Sequence, residues 1–382
     1  MRGNWNYPTA IRFGAGRIAE LAEACTSLGM SRPLLVTDAG LARLPIVSEA
    51  VAANNAAGLP TGLFSEVRGN PVGANVEAGV TAYRAGGHDG VIAFGGGSAL
   101  DVAKAIALMV GQDRPLWDFE DVGDNYTRVN VAGMAPVVAV PTTAGTGSEV
   151  GRASVITDAS DHTKKIIFHP GMLPALVIAD PALTVGLPAT LTAWTGIDAL
   201  SHCLEAFCAP GFHPQADGIA VEGIRLISRS LERAVADGSD IEARAMMMAA
   251  SSMGATAFQK GLGAMHALAH PVGAVLDAHH GLTNAVFMPY VLTFNRPAIA
   301  ERIGDLARYI GLEQPTFAGF HAWVLGLRER LDIPHTADAL GVTEELIDDL
   351  GRRAAADPSA GGNPIPVDAA ALSGLYRQSL RG

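Results

Sequence analysis

The chain has 382 residues and only three cysteines, Cys25, Cys203 and Cys208. They are too few and too scattered for a disulfide framework or a CxxC zinc site, which fits a reducing cytoplasm. No run of about eighteen uncharged apolar residues occurs, so no membrane span is expected. The opening "MRGNWNYPTAIRFGAG" lacks the apolar centre of a signal peptide and reads as the start of a folded domain. Cations are also short: 27 Lys and Arg face 38 Asp and Glu, a net charge of −11. With no basic patch, the chain offers nothing to DNA or another polyanion. Charged residues make up only 17% and hydrophobic ones 49%, so the interior is large. The length exceeds one ordinary core and points to two domains.

The first half alternates β-type runs with helical ones. "PLLVTDAG" (33–40) reads as a buried strand ending in a turn. "GHDGVIAFGGGSALDVAKAIAL" (87–108) reads as strand, glycine turn and Ala-rich helix, and "APVVAVPTTAGTGSEV" (135–150) as a strand running into a Thr/Gly loop. Such alternation indicates a parallel sheet covered on both faces. Further on, "ADGIAVEGIRLISRSLERAVAD" and "IEARAMMMAASSMGATAFQ" carry a 3.6-residue apolar period and are expected to be helices. The expectation is an α/β domain over 1–185 and an all-helical domain over 186–382. "AAADPSAGGNPIPV" (354–367) is expected to be a turn-rich loop.

The glycine turn of "FGGGSALDVAKAIA" (94–107) can bring backbone N–H groups and a helix dipole to a phosphate. The competing reading is a plain S-x-x-D helix cap from Ser98 and Asp101. This is not a G-x-G-x-x-G fingerprint. "PTTAGTGSE" (141–149) is a second loop of glycines and hydroxyls, either a turn or the other wall of a dinucleotide site. Asp38 closes "LLVTD", where a carboxylate could accept from an adenosine ribose and repel a 2′-phosphate, favouring NAD over NADP. The alternative is a solvated turn aspartate.

Four of eleven histidines crowd into "GAMHALAHPVGAVLDAHHG" (263–281). His266 and His270 are four apart, as are Asp198 and His202 in "GIDALSHCLEA" (196–206), so each pair shares a helix face. A carboxylate and several imidazoles in helical surroundings of low charge fit a divalent metal, iron(II) or zinc. Cys203 would project about 100° from His202 on a helix and is set aside. Pro271 is expected to kink or end the helical turn after His270.

These motifs together resemble the iron-containing (group III) alcohol dehydrogenases. GGGSALDVAKA, PTTAGTGSEV, the D-x3-H of Asp198 and His202, and GLGAMHALAHPVGA…HHGLTNA fall in that family's order over most of the chain. The resemblance implies the dehydroquinate synthase-like fold, with an α/β dinucleotide-binding domain before an all-α metal-binding domain. It implies an oxidoreductase moving hydride between a small alcohol, or its aldehyde or ketone, and NAD. The implied metal ligands are Asp198, His202, His266 and His280, with His270 as catalytic neighbour and His279 merely flanking. The implied cofactor positions are Asp38, Asn70, Gly96, Gly97, Ser98, Asp101, Thr142, Thr143, Thr146, Lys164 and Leu183. It also implies a cytoplasmic homodimer, for which "AIRFGAG" could supply a contact. Glycerol dehydrogenases and hydroxyacid dehydrogenases share the fold, as do maleylacetate reductases and dehydroquinate synthases. A nucleotide- or metal-sensing module is the non-enzyme alternative.

Overall fold

The structure is a computed structural model that describes residues 9–382. The chain divides between Leu187 and Pro188 into two compact units. The first unit runs β1 (Ala10–Phe13), α1 (Leu21–Ser27), β2 (Pro33–Asp38), α2 (Pro45–Ala56), β3 (Gly62–Val67) and α3 (Gly73–Ala85). It continues through β4 (Gly90–Gly95), α4 (Gly97–Met109), β5 (Val137–Pro141), β6 (Ala153–Asp158), β7 (Thr163–Phe168) and β8 (Leu176–Ala179).

Six strands form one sheet in the order β3-β2-β4-β5-β8-β1, with every neighbouring pair parallel. The strands β4 and β5 are buried along their whole length, as apolar runs in a doubly covered sheet must be. Right-handed crossovers put α1 and α2 on one face and α3 and α4 on the other. On the first face Leu21, Cys25, Val47 and Ala50 pack with Leu35, Ile92, Phe94 and Val138. The chain steps from β2 out to β3 and returns past β2 to β4, so the strand order reverses there. In open α/β sheets ligands bind outside the carboxyl ends of the strands at such a reversal, here β2 and β4. β6 and β7 form a separate antiparallel hairpin.

The second unit is built from α5 (Ala189–Cys208), α6 (Pro214–Ala236), α7 (Ile241–Ala257) and α8 (Ala264–Leu276). After these come α9 (His280–Ile310), α10 (Phe317–Arg330), α11 (Ile347–Ala356) and α12 (Ala369–Arg381). α5 is buried almost all round, and α6, α7 and α9 pack against it, which makes it the central helix. Two expectations need correction. Of the kink or end expected at Pro271 the end does not occur: α8 continues to Leu276, and the burial of most of 264–273 outweighs one missing N–H. The stretch expected as a loop over 354–367 instead holds the end of α11 and a 3-10 turn, Pro358–Gly362. No helix among the described residues is long and apolar enough to cross a membrane.

Candidate functional site

Asp198 and His202 lie one turn apart on α5, and both are buried. α8 brings His266, which is 1% exposed, and α9 begins at His280. One ligand atom from each of the four lies within 4.8 Å of every other. The rings of His202 and His266 stack with centroids 4.8 Å apart, and His280 Nε2 is 3.5 Å from Asp198 Oδ1. Gly281 allows this approach: a Cβ there would lie 2.3 Å from the Trp194 carbonyl oxygen of α5.

Other side chains orient these donors. Glu205 follows Asp198 and His202 on the same face of α5, and its Oε2 lies 2.7 Å from His266 Nδ1. A carboxylate only accepts, so Nδ1 carries the proton and His266 Nε2 keeps a lone pair. Burial opposes protonation of this imidazole, but the hydrogen bond and charge of Glu205 hold its pKa above the ordinary value. The amide nitrogen of Asn284 lies 2.9 Å from Asp198 Oδ1, 3.2 Å from His266 Nε2 and 3.1 Å from His280 Nε2. Two acceptors, Asp198 Oδ1 and His266 Nε2, and a ring nitrogen of His280 thus converge on one neutral amide nitrogen, a place better suited to a doubly charged cation. One carboxylate with three imidazoles matches the preference of iron(II) or zinc. The residues therefore fit a divalent metal.

His270 stands beside this set: its ring stacks on His280 with centroids 5.3 Å apart, and its Nδ1 lies 2.8 Å from Asp357 Oδ2. His279 instead caps the start of α9, where its Nδ1 accepts from Leu282 N, and its ring packs 4.9 Å from Trp194. Cys203 Sγ turns to the Ala250 carbonyl, and burial pushes its thiol up to about 12, so it is no ligand.

In the α/β unit, most of the sequence-derived cofactor positions lie past the carboxyl ends of the parallel strands. Asn70 follows β3, Asp38 ends β2, Gly96 to Ser98 follow β4, Thr142 to Thr146 follow β5, and Leu183 follows β8. The two glycine-rich segments meet: a Cβ on Gly97 would come 2.5 Å from Thr146 Cγ2, and one on Gly96 would come 3.2 Å from Thr143 Cγ2. α4 has no side-chain N-cap, so the Ser98–Asp101 capping box does not form. Ser98 donates to the Gly69 carbonyl instead. Asp101 accepts from Ser148 Oγ and from Val155 N and lies 3.3 Å from Lys104 Nζ, so it braces α4 against β6. Asp38 Oδ1 accepts from the N–H groups of Gly40 and Leu41, both at 2.9 Å. Lys164 lies on the hairpin strand β7 rather than on a loop after a strand of the parallel sheet. Its neighbour Lys165 is held by Asp158 at 2.7 Å and Asp161 at 3.5 Å, and alternation sends the two lysines to opposite faces.

Sequence reasoning missed Glu205, Asn284 and Asp357. The first two carried a signal. Glu205 continues the Asp198–His202 face by three residues, and Asn284 is four residues after His280. Asp357 carried none, since only the fold brings it to His270, 87 residues away.

Residues 8–181 match the iron-containing alcohol dehydrogenase family, and residues 192–380 match the C-terminal region of the Fe-containing alcohol dehydrogenase family. A 4-hydroxybutyrate dehydrogenase of Cupriavidus necator is 40% identical over 98% of this chain and 99% of its own length. An NAD-dependent methanol dehydrogenase of Bacillus methanolicus is 37% identical over 99% of this chain and 100% of its own. Among solved structures, a 1,3-propanediol oxidoreductase superposes with a TM-score of 0.94 at 34% identity, covering 100% of both chains. With both halves of its length matched, the chain belongs to the iron-containing alcohol dehydrogenase family and is an alcohol oxidoreductase.

Proposed function

We propose that this enzyme is an NAD-linked, metal-dependent alcohol dehydrogenase that interconverts a small alcohol and its aldehyde or ketone. The observation that carries this reading is the convergence of Asp198, His202, His266 and His280 on one spot in the helical unit. A divalent ion held there, iron(II) with zinc as the alternative, keeps net positive charge against one carboxylate and supplies Lewis acidity toward an alcohol oxygen. Glu205 orients His266, and Asn284 holds Asp198, so the donors are positioned before anything binds. His270 relays the alcohol proton, since its ring stands against His280 and an imidazole can accept at one nitrogen while donating from the other.

NAD is taken at the carboxyl edge of the sheet. The N–H groups opening α4 at Gly97 and Ser98 receive a phosphate, and Thr142, Thr143 and Thr146 line the same turn. Asp38 accepts from the adenosine ribose and disfavours a 2′-phosphate. Asn70, Lys164 and Leu183 complete the cofactor contacts, with Asp101 bracing the turn. The similarity to 4-hydroxybutyrate and methanol dehydrogenases supports a small primary alcohol as substrate. A cytoplasmic homodimer would use the outer edge of β1, whose Ile11 and Phe13 are exposed.

Two variants test the assignment of roles. His266→Ala is expected to lose the metal by elemental analysis, whereas His270→Ala keeps it but loses roughly 10²-fold or more in NADH-coupled turnover. Full turnover in metal-stripped protein overturns the reading.

A further inference from the structure

The segment from Asp357 to Asn363 straps α8 at two points. At one end, Asp357 Oδ1 accepts from Ser359 N at 2.8 Å, while Oδ2 lies 2.8 Å from His270 Nδ1. At the other, Asn363 Oδ1 accepts from Ala264 N, the first residue of α8, at 3.1 Å and from Asn295 of α9 at 2.8 Å. Asp357 is nearly buried, with 9% of its side chain exposed. Burial alone would raise its pKa, but His270 and the Ser359 N–H hold it below the ordinary carboxylate value. Each of its oxygens faces a nitrogen, Ser359 N and His270 Nδ1, as suits a carboxylate that can only accept.

We infer that Asp357 is a positioning residue that fixes His270 as the Nδ1–H tautomer and so presents Nε2 as its lone-pair nitrogen. This rests on the proposed relay role of His270. A neutral imidazole has one donor and one acceptor nitrogen, and a buried carboxylate at Nδ1 decides which is which. During alcohol oxidation the O–H bond breaks and its proton passes to Nε2. The C–H electron pair leaves with its hydrogen as hydride to NAD+, and the C=O bond forms. The imidazolium so created has its charge balanced by the Asp357 carboxylate, which stays deprotonated.

The separate bonds of the two Asp357 oxygens, to Ser359 and to His270, make one substitution diagnostic. In Asp357→Asn, the Ser359 N–H requires the amide oxygen, which turns the amide NH2 toward His270 Nδ1. Two donors cannot share that contact, so His270 must switch to the Nε2–H tautomer. The measurement is a long-range proton–nitrogen NMR spectrum of [15N]histidine-labelled, zinc-loaded protein, with His270→Gln assigning the signal. The unaltered protein is expected to show a protonated Nδ1 and a bare Nε2 at His270, and Asp357→Asn is expected to show the reverse. Zinc content and KM should be little changed while kcat falls about 10²-fold or more. A protonated Nε2 in the unaltered protein overturns the inference without recourse to any variant, as does an unswitched tautomer in Asp357→Asn. Full turnover in His270→Ala, or in a tautomer-switched Asp357→Asn, overturns the relay reading instead and leaves the tautomer assignment standing.

Discussion

In the α/β unit the gathered residues are glycines, threonines and a serine, and what they offer is backbone N–H groups and open space. In the helical unit they are a carboxylate and imidazoles, and what they offer is side-chain lone pairs. The first kind of site is a shape, made where three or four adjacent strands end. The second is a constellation, made by aiming side chains from α5, α8 and α9 at one point. A shape is damaged by adding atoms, and a constellation by removing or misdirecting them.

Gly97→Val tests that contrast most strongly. Its side chain would enter the space of Thr146, so overpacking of about 1–3 kcal/mol is expected to weaken NAD binding roughly 5- to 150-fold by calorimetry. Metal content should not change, and a parallel loss of metal would break the separation of the two sites. Asp38→Ala comes next: removing the carboxylate at the end of β2 should raise the NADP-to-NAD ratio of kcat/KM by about tenfold, worth ~1.4 kcal/mol. An unchanged ratio would leave Asp38 as a turn residue that serves only Gly40 and Leu41.

Gly281→Ala probes the exception, a place in the helical unit where adding atoms should also do harm. The new methyl would meet the Trp194 carbonyl and separate the helices bearing Asp198 and His280. A loss of about 1–3 kcal/mol, read as a lower Tm together with weaker metal retention, is expected. Unaltered Tm would mean that α5 and α9 can move apart freely. The smallest effect should come from Asp158→Asn in the hairpin. Lys165 and the Ser160 hydroxyl and N–H hold the Asp158 carboxyl down at about 2. Its folded-state pKa is depressed, so the stability it contributes is full above about pH 4 and lost as pH falls toward 2. The Tm gap between the two proteins should therefore narrow over that window. A pH-independent gap would deny the linkage.

The same contrast explains what the sequence could disclose. The dinucleotide edge was legible because each wall is a contiguous stretch: "FGGGSALD" and "PTTAGTGSE" each announce a strand, a turn and its glycines. That the two stretches touch, Gly97 against Thr146, follows only from the order of β4 and β5. The metal donors were legible as helical spacings within α5 and near α8, and Glu205 and Asn284 follow the same spacing rule one step further. Asp357 obeys no local rule, since its partner is set by how α11 ends beside α8. The competing cap reading of Ser98 and Asp101 rests on their spacing alone, but a glycine turn entering α4 leaves Ser98 nearer the Gly69 carbonyl. A kink or end is expected at Pro271 because propensity is local, and the end of α8 does not occur there because burial is not.

The strap over α8 also dictates when during synthesis the active centre can exist. His270 meets Asp357 across 87 residues, Ala264 meets Asn363 across 99, and the Tyr376 hydroxyl reaches the Leu268 carbonyl across 108. These are contacts of high sequence separation, whose loop-closure cost must be met before they stabilise anything. A ribosome adding ~5–20 residues per second needs roughly 5–20 s to make that last span. Throughout that interval α8 lacks these three clamps, while the earlier-made Glu205 of α5 is already available to hold His266. The finished geometry arrives only with the final helix.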